Sequence, residues 1–131
     1  MDHRFDKHYT RDEARALLPQ IRTWLKNLRR FRGELMKHDE ELARRLKEHD
    51  DLGGPEVNAW VRALADVKEI LLEFYQREIQ IKDLERGLID FPAIIDGKEV
   101  FLCWEQKESD IEFWHDLDSG YAGRERLSEE L

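Results

Sequence analysis

Cysteine occurs once in the 131-residue chain, at Cys103, which excludes an internal disulfide and any zinc site assembled from paired cysteines. Long apolar runs are missing as well. None approaches the roughly eighteen residues that suggest a membrane span, and no apolar signal segment stands behind Met1-Asp2-His3-Arg4, so membrane insertion and Sec-type export are both unexpected. A cytoplasmic protein without a membrane partner is the expectation. The chain also has no phosphate-cradling glycine loop, no G-x-S-x-G, no H-E-x-x-H and no EF-hand loop. The reading leans away from an enzyme.

Apolar residues make up 40% of the sequence and charged residues another 40%, a balance that folds as a thin structure rather than around a deep pocket. The length allows a single domain over 1–131, divided into a helical hairpin at about 10–83 and a β-meander with a C-terminal loop at about 84–131. The net charge of -8 is unevenly spread, with 13 basic and 9 acidic groups up to residue 49, and 9 basic and 21 acidic groups after it. Arg22, Lys26, Arg29, Arg30 and Arg32 run without an intervening acid, a pattern suited to nucleic acid or anionic lipid through counterion release. The simpler reading is a solvated helix face that meets the acidic half of its own fold, and nucleic acid is not the expected partner.

Thr10-Arg11-Asp12-Glu13 is a capping box, so a helix starts near Arg11, with a kink expected at Pro19. Leu17, Ile21, Trp24, Leu28, Phe31 and Leu35 recur at steps of 4, 3, 4, 3 and 4, and Leu42 and Leu46 extend the stripe to about Glu48. Gly53-Gly54-Pro55 breaks this helix. Val57, Trp60, Val61, Leu64, Val67, Leu71, Phe74 and Tyr75 then mark a second helix, with Glu73 and Arg77, and Glu78 and Lys82, read as exposed i,i+4 pairs. It should return antiparallel to the first. Trp24, Phe31, Trp60 and Phe74 are assigned to core packing.

Near Gly87 the apolar period shortens to two, and Asp96-Gly97 between apolar runs signals a two-residue type I′ hairpin. The expected fold is α+β: a long antiparallel helical hairpin followed by a three-stranded antiparallel meander of Leu88–Ile95, Lys98–Glu105 and Ile111–Asp116. Pro92 places the first strand at an edge. The turn sets Ala93 against Val100, Phe91 against Leu102 and Ile89 against Trp104 on an apolar face, and Asp90 against Cys103 on the other. One hairpin covers one face, so the tail from Gly120 to Leu131, the N-terminal arm or a second copy must cover the other.

Tyr9-Thr10 with Leu17-Leu18-Pro19, Asp51 to Pro55, Asp83 to Pro92, Leu102-Cys103-Trp104, and Phe113 to Asp116 with Gly120 to Arg124 together resemble the prokaryotic family catalogued as domain of unknown function 2203. The resemblance spans nearly the whole chain and brings no catalytic role with it. Arg15 and Lys107 depart from its pattern, which has Asn common at the first position and Gly at the second.

The densest polar cluster runs from Trp114 to Arg124, with one imidazole, two carboxylates, a phenol and a guanidinium beside Gly120 and Gly123. His115, Asp116, Asp118 and Arg124 are the first candidates for a ligand site, with Asp90 and Glu85 contributing from the first strand and its entry. No cofactor is predicted, although a divalent metal is allowed, with His115, Asp116 and Asp118 as its candidates. Strand parity with Ile111 and Phe113 points His115 into the helix-facing layer, and mid-strand Cys103 reads as an inert buried thiol. Asp66, Glu69 and Glu73 form an acidic ridge like that of helical nucleotide pyrophosphohydrolases, but the second acidic motif of those enzymes is missing. Three functions follow: a homo-oligomeric helical-hairpin interaction module, most simply a homodimer that also offers the hairpin to a protein partner; a small-ligand- or metal-binding protein, including a hydrolase, using the His115 to Arg124 loop; and nucleic-acid binding through Arg22 to Arg32. The first leads.

Overall fold

The computed structural model describes residues 2–48 and 54–129. Two α-helices, α1 (Arg11–Lys47) and α2 (Gly54–Gln76), precede β1 (Gln80–Asp83), β2 (Leu88–Ile95), β3 (Lys98–Glu105), β4 (Phe113–Asp116) and β5 (Glu125–Arg126). The strands form one antiparallel sheet in the order β1-β2-β3-β4-β5. Among the described residues no helix is long and apolar enough to cross a membrane. The chain divides into two compact units, Met1–Thr23 with Phe74–Leu131, and Trp24–Glu73.

The capping box is in place: Glu13 donates its amide to Thr10 Oγ1 at 3.1 Å, and the Thr10 amide donates to the Glu13 carboxylate at 3.0 Å. Pro19 sits inside a helix assigned without a break, and Thr23 Oγ1 donates to the Pro19 carbonyl. In the 24–73 unit the helices run antiparallel, with Arg45 beside Glu56 and Trp60 Nε1 bonded to Asp39. Leu25, Leu28, Ala63 and Ile70 are buried there. The expected break at Gly53-Gly54-Pro55 lies in part outside the described residues, and α2 opens with Gly54-Pro55.

In the other unit the sheet has five strands, not three. β1 was hidden because Glu78 and Lys82 at i,i+4 read as a continuing helix. Instead α2 ends at Gln76 and Glu78 turns the chain with φ 58, while its carboxylate accepts the amides of Asp6 and Lys7. β5 has only two residues, too few to show a period. The third expected strand starts at Phe113 rather than Ile111.

The β2–β3 hairpin has the register its turn dictates. Asp96 and Gly97 take φ of 51 and 78, and Ala93 faces Val100, Phe91 faces Leu102, and Ile89 faces Trp104. All six are buried, and the Arg22 guanidinium of α1 lies 4.9 Å from the Trp104 ring centre. β2 is not an edge strand, because β1 pairs with its first part. Pro92 is tolerated because it lies past β1, with its peptide edge turned away from β3; its carbonyl accepts the Tyr9 amide at 2.7 Å.

Candidate functional site

The alternation that turns Ile89, Phe91 and Trp104 to one face turns Asp90, Phe101, Cys103, Phe113 and His115 to the other. His115 therefore lies on the face opposite the Arg22 side and not in the helix-facing layer that parity with Ile111 and Phe113 predicts, because β4 begins at Phe113 and its register sets His115 beside Phe101. Asp90 faces Cys103 across the β2–β3 ladder, and His115 is paired with Phe101, so three adjacent strands deliver one polar side chain each to one place. Asp90, Cys103 and His115 are 1%, 0% and 2% exposed.

His115 Nδ1 is 2.6 Å from the Asp116 carbonyl, which can only accept, so the hydrogen-bond network assigns a proton to Nδ1. Nε2 is left facing Asp90 Oδ2 at 2.9 Å. Burial works against charge on the imidazole, but the bonds to Asp90 and to the Asp116 carbonyl outweigh it and raise the pKa above the ordinary histidine value. Burial, reinforced by the Asp90 charge, pushes the Cys103 thiol up to about 12 against the opposing Arg124 guanidinium. With no metal cation beside it such a thiol stays protonated and is a poor nucleophile. The second carboxylate oxygen, Asp90 Oδ1, is buried with no hydrogen-bond partner.

The other sequence candidates are spread around this centre. The Asp116 carboxylate forms an ion pair with Lys98 at 2.7 Å, and Asp118 takes Arg4 at 3.2 Å; both line an open cleft with Lys98, Glu99, Leu117 and Ser119. Arg124 makes a two-pronged contact with Glu108 at 2.8 and 3.1 Å and lies over the Phe113 and Tyr121 rings. Glu85 lies in the turn between β1 and β2. Thus Asp90 and His115 meet directly, Arg124 adjoins Cys103, and the carboxylates of Asp116 and Asp118 serve ion pairs outside.

Both intramolecular candidates for covering this face do so. Phe5 of the N-terminal arm packs on Phe101 with ring centres 5.4 Å apart, and Phe101 packs on His115 at 5.5 Å. Glu99 clasps the arm, accepting the amides of Arg4 and Phe5 and bonding His8 Nε2 at 2.7 Å. Burial opposes its charge, but these donors hold the Glu99 carboxyl down to about 2. At the other end Tyr121 bonds to Glu105, which Arg86 also holds.

The family described as "Uncharacterized conserved protein (DUF2203)" matches residues 7–127. The chain belongs to this family. No curated protein and no solved structure is significantly similar to it. In this DUF2203 chain the matched span contains Asp90, Glu99, Cys103, His115 and Arg124, whereas His3 precedes it. Sequence reasoning passed over Glu99 and His8. Their pairing spans 91 positions, and no local spacing announces it. The placing of Cys103 beside Asp90 was legible from the turn, but the arrival of His115 needed the β3–β4 register.

Proposed function

We propose that this DUF2203 chain acts as a self-associating helical-hairpin module, most simply a homodimer in which helices of two copies complete one bundle. The observation that carries the reading is the face of α2 in the 24–73 unit: Val61, Leu71 and Leu72 are 49%, 44% and 51% exposed. Val61, Ala65, Lys68 and Leu72 follow one another at steps of 4, 3 and 4, a heptad seam interrupted by one lysine. On the partner helix Met36 and Leu46 are also exposed, while Trp24, Phe31 and Trp60 are only partly buried. Exposed apolar side chains at this spacing support an association surface, and a two-fold axis would satisfy it with the same residues on both copies.

The basic run supports nucleic-acid binding less well. Arg22 donates to the carbonyls of Gln106 and Glu108, and Arg30 lies over the Phe31 ring. Sedimentation equilibrium at micromolar concentration tests the module: a dimer mass that falls to monomer in Val61→Glu/Leu72→Glu, with unchanged helical circular dichroism, is the expected result. A wild-type chain that is monomeric throughout overturns it.

A further inference from the structure

We infer that Asp90, Cys103 and His115 form a closed site for one divalent transition-metal ion, with zinc as the natural occupant, stapling β2, β3 and β4 at the centre of the sheet. The site differs from the loop set His115, Asp116 and Asp118 and is independent of self-association. The nitrogen, sulfur and carboxylate donors of the three side chains lie within 4.8 Å of one another. His115 is oriented as metal-bound imidazoles are, Nδ1–H held by a carbonyl and Nε2 turned to the centre. Asp90 Oδ1, buried and without a partner, adds a fourth donor if the carboxylate binds through both oxygens.

The donor chemistry selects the ion. One thiolate, one imidazole and one carboxylate suit zinc and its neighbours, whereas calcium and magnesium require all-oxygen shells. An ion held at about 2.0–2.3 Å from tetrahedral donors separates nitrogen from oxygen by about 3.4 Å, so the 2.9 Å contact between His115 and Asp90 opens by roughly half an ångström. Charge balances once the entering ion displaces the Cys103 thiol proton and the Nε2 proton that His115 shares with Asp90, both released to solvent: a divalent ion with a carboxylate, a thiolate and a neutral imidazole sums to zero in a buried place. The nearby Arg124 guanidinium is already paired with Glu108.

A second cluster, His3, His8 and Glu99, has the same donor spacing. Its carboxylate is already engaged by two backbone amides and the His8 imidazole, and no oxygen is left without a partner as in Asp90. It serves as the clasp of the arm. The two clusters differ in one observable: only the buried one supplies sulfur.

The test uses the full chain stripped of metal, reloaded with one equivalent of zinc, and examined by X-ray absorption. One sulfur scatterer at about 2.3 Å with nitrogen and oxygen at about 2.0–2.2 Å is the expected result. Cobalt loading should give a thiolate charge-transfer band that Cys103→Ser abolishes and His8→Ala leaves intact. A zinc shell of nitrogen and oxygen only, failure to retain a stoichiometric ion, or a cobalt band unchanged in Cys103→Ser overturns the site. If the Cys103→Ser protein does not fold, the absorption spectrum of the unaltered chain decides alone.

Discussion

Glu99→Gln should weaken the hold on residues 4–8 of the N-terminal arm, and the loss should depend on pH in a direction fixed by the carboxyl's environment. In the folded protein its pKa is held at about 2, against about 4.3 in an unfolded chain. A pKa depressed by folding contributes stability in full above the unfolded value and loses it as pH falls through the folded one. At 1.36 kcal/mol per pH unit the difference corresponds to about 3 kcal/mol, and with the side chain 10% exposed, solvent screening leaves about 2–3 kcal/mol. About half should be gone by pH 3 and nearly all by pH 1. The assay is equilibrium urea denaturation of the unaltered chain and of Glu99→Gln at intervals from pH 6 to pH 2. The stability gap should be largest above pH 5 and should close steeply below pH 4. A gap that stays flat over that range would refute the assignment of Glu99 as the clasp.

Further outcomes follow from single contacts. Gly97→Val should cost about 1 kcal/mol or more because φ is +78 there, although no heavy atom lies within 4 Å of an added Cβ; an unchanged denaturant midpoint would contradict the turn. Thr10→Ala should cost about 1 kcal/mol by removing the cap of α1, and Thr10→Ser should recover most of it, both read from urea midpoints. A double-mutant cycle on Arg124→Ala and Glu108→Ala should show coupling of about 1 kcal/mol or more, since both side chains are mostly buried; zero coupling would mean the pair does not pin the tail. Cys103 should resist a thiol reagent in the native chain and react fully only on denaturation, as expected of a buried thiol with a pKa of about 12.

How much of this was legible in the sequence depends on whether the deciding contacts are local. The capping box needs only Thr10 and Glu13, and the β2–β3 register needs only Asp96-Gly97, so both could be read directly. β1 could not. Its four residues follow a helix whose charge pattern carries on past its end, and the stop is made by Glu78 turning left-handed to receive the arm. The candidate site divides the same way. Asp90 opposite Cys103 is a consequence of the turn, whereas the place of His115 depended on where β4 begins. Asp116 and Asp118 are neighbours of His115 in sequence, but alternation and the loop carry their carboxylates to Lys98 and Arg4.

The Tyr9 amide bonded to the Pro92 carbonyl has a bearing on what the sheet can recruit. A sheet grows by offering a row of unpaired peptide groups to an incoming strand. Here the first part of β2 is taken by β1, and the next outward position combines a proline, which has no hydrogen to offer, with a carbonyl already occupied by the arm. At the opposite border stands β5, two residues long, followed by the Leu127 amide bound to the Glu112 carbonyl. β1, the outermost strand on the first side, has only four residues and a break in register between Ile81 and Asp83, so among the described residues neither border presents a long regular ladder and the sheet is poorly suited to strand exchange or fibril growth. Release of the arm would reopen the Pro92 border, and a Glu99→Gln chain should aggregate sooner on warming than its parent.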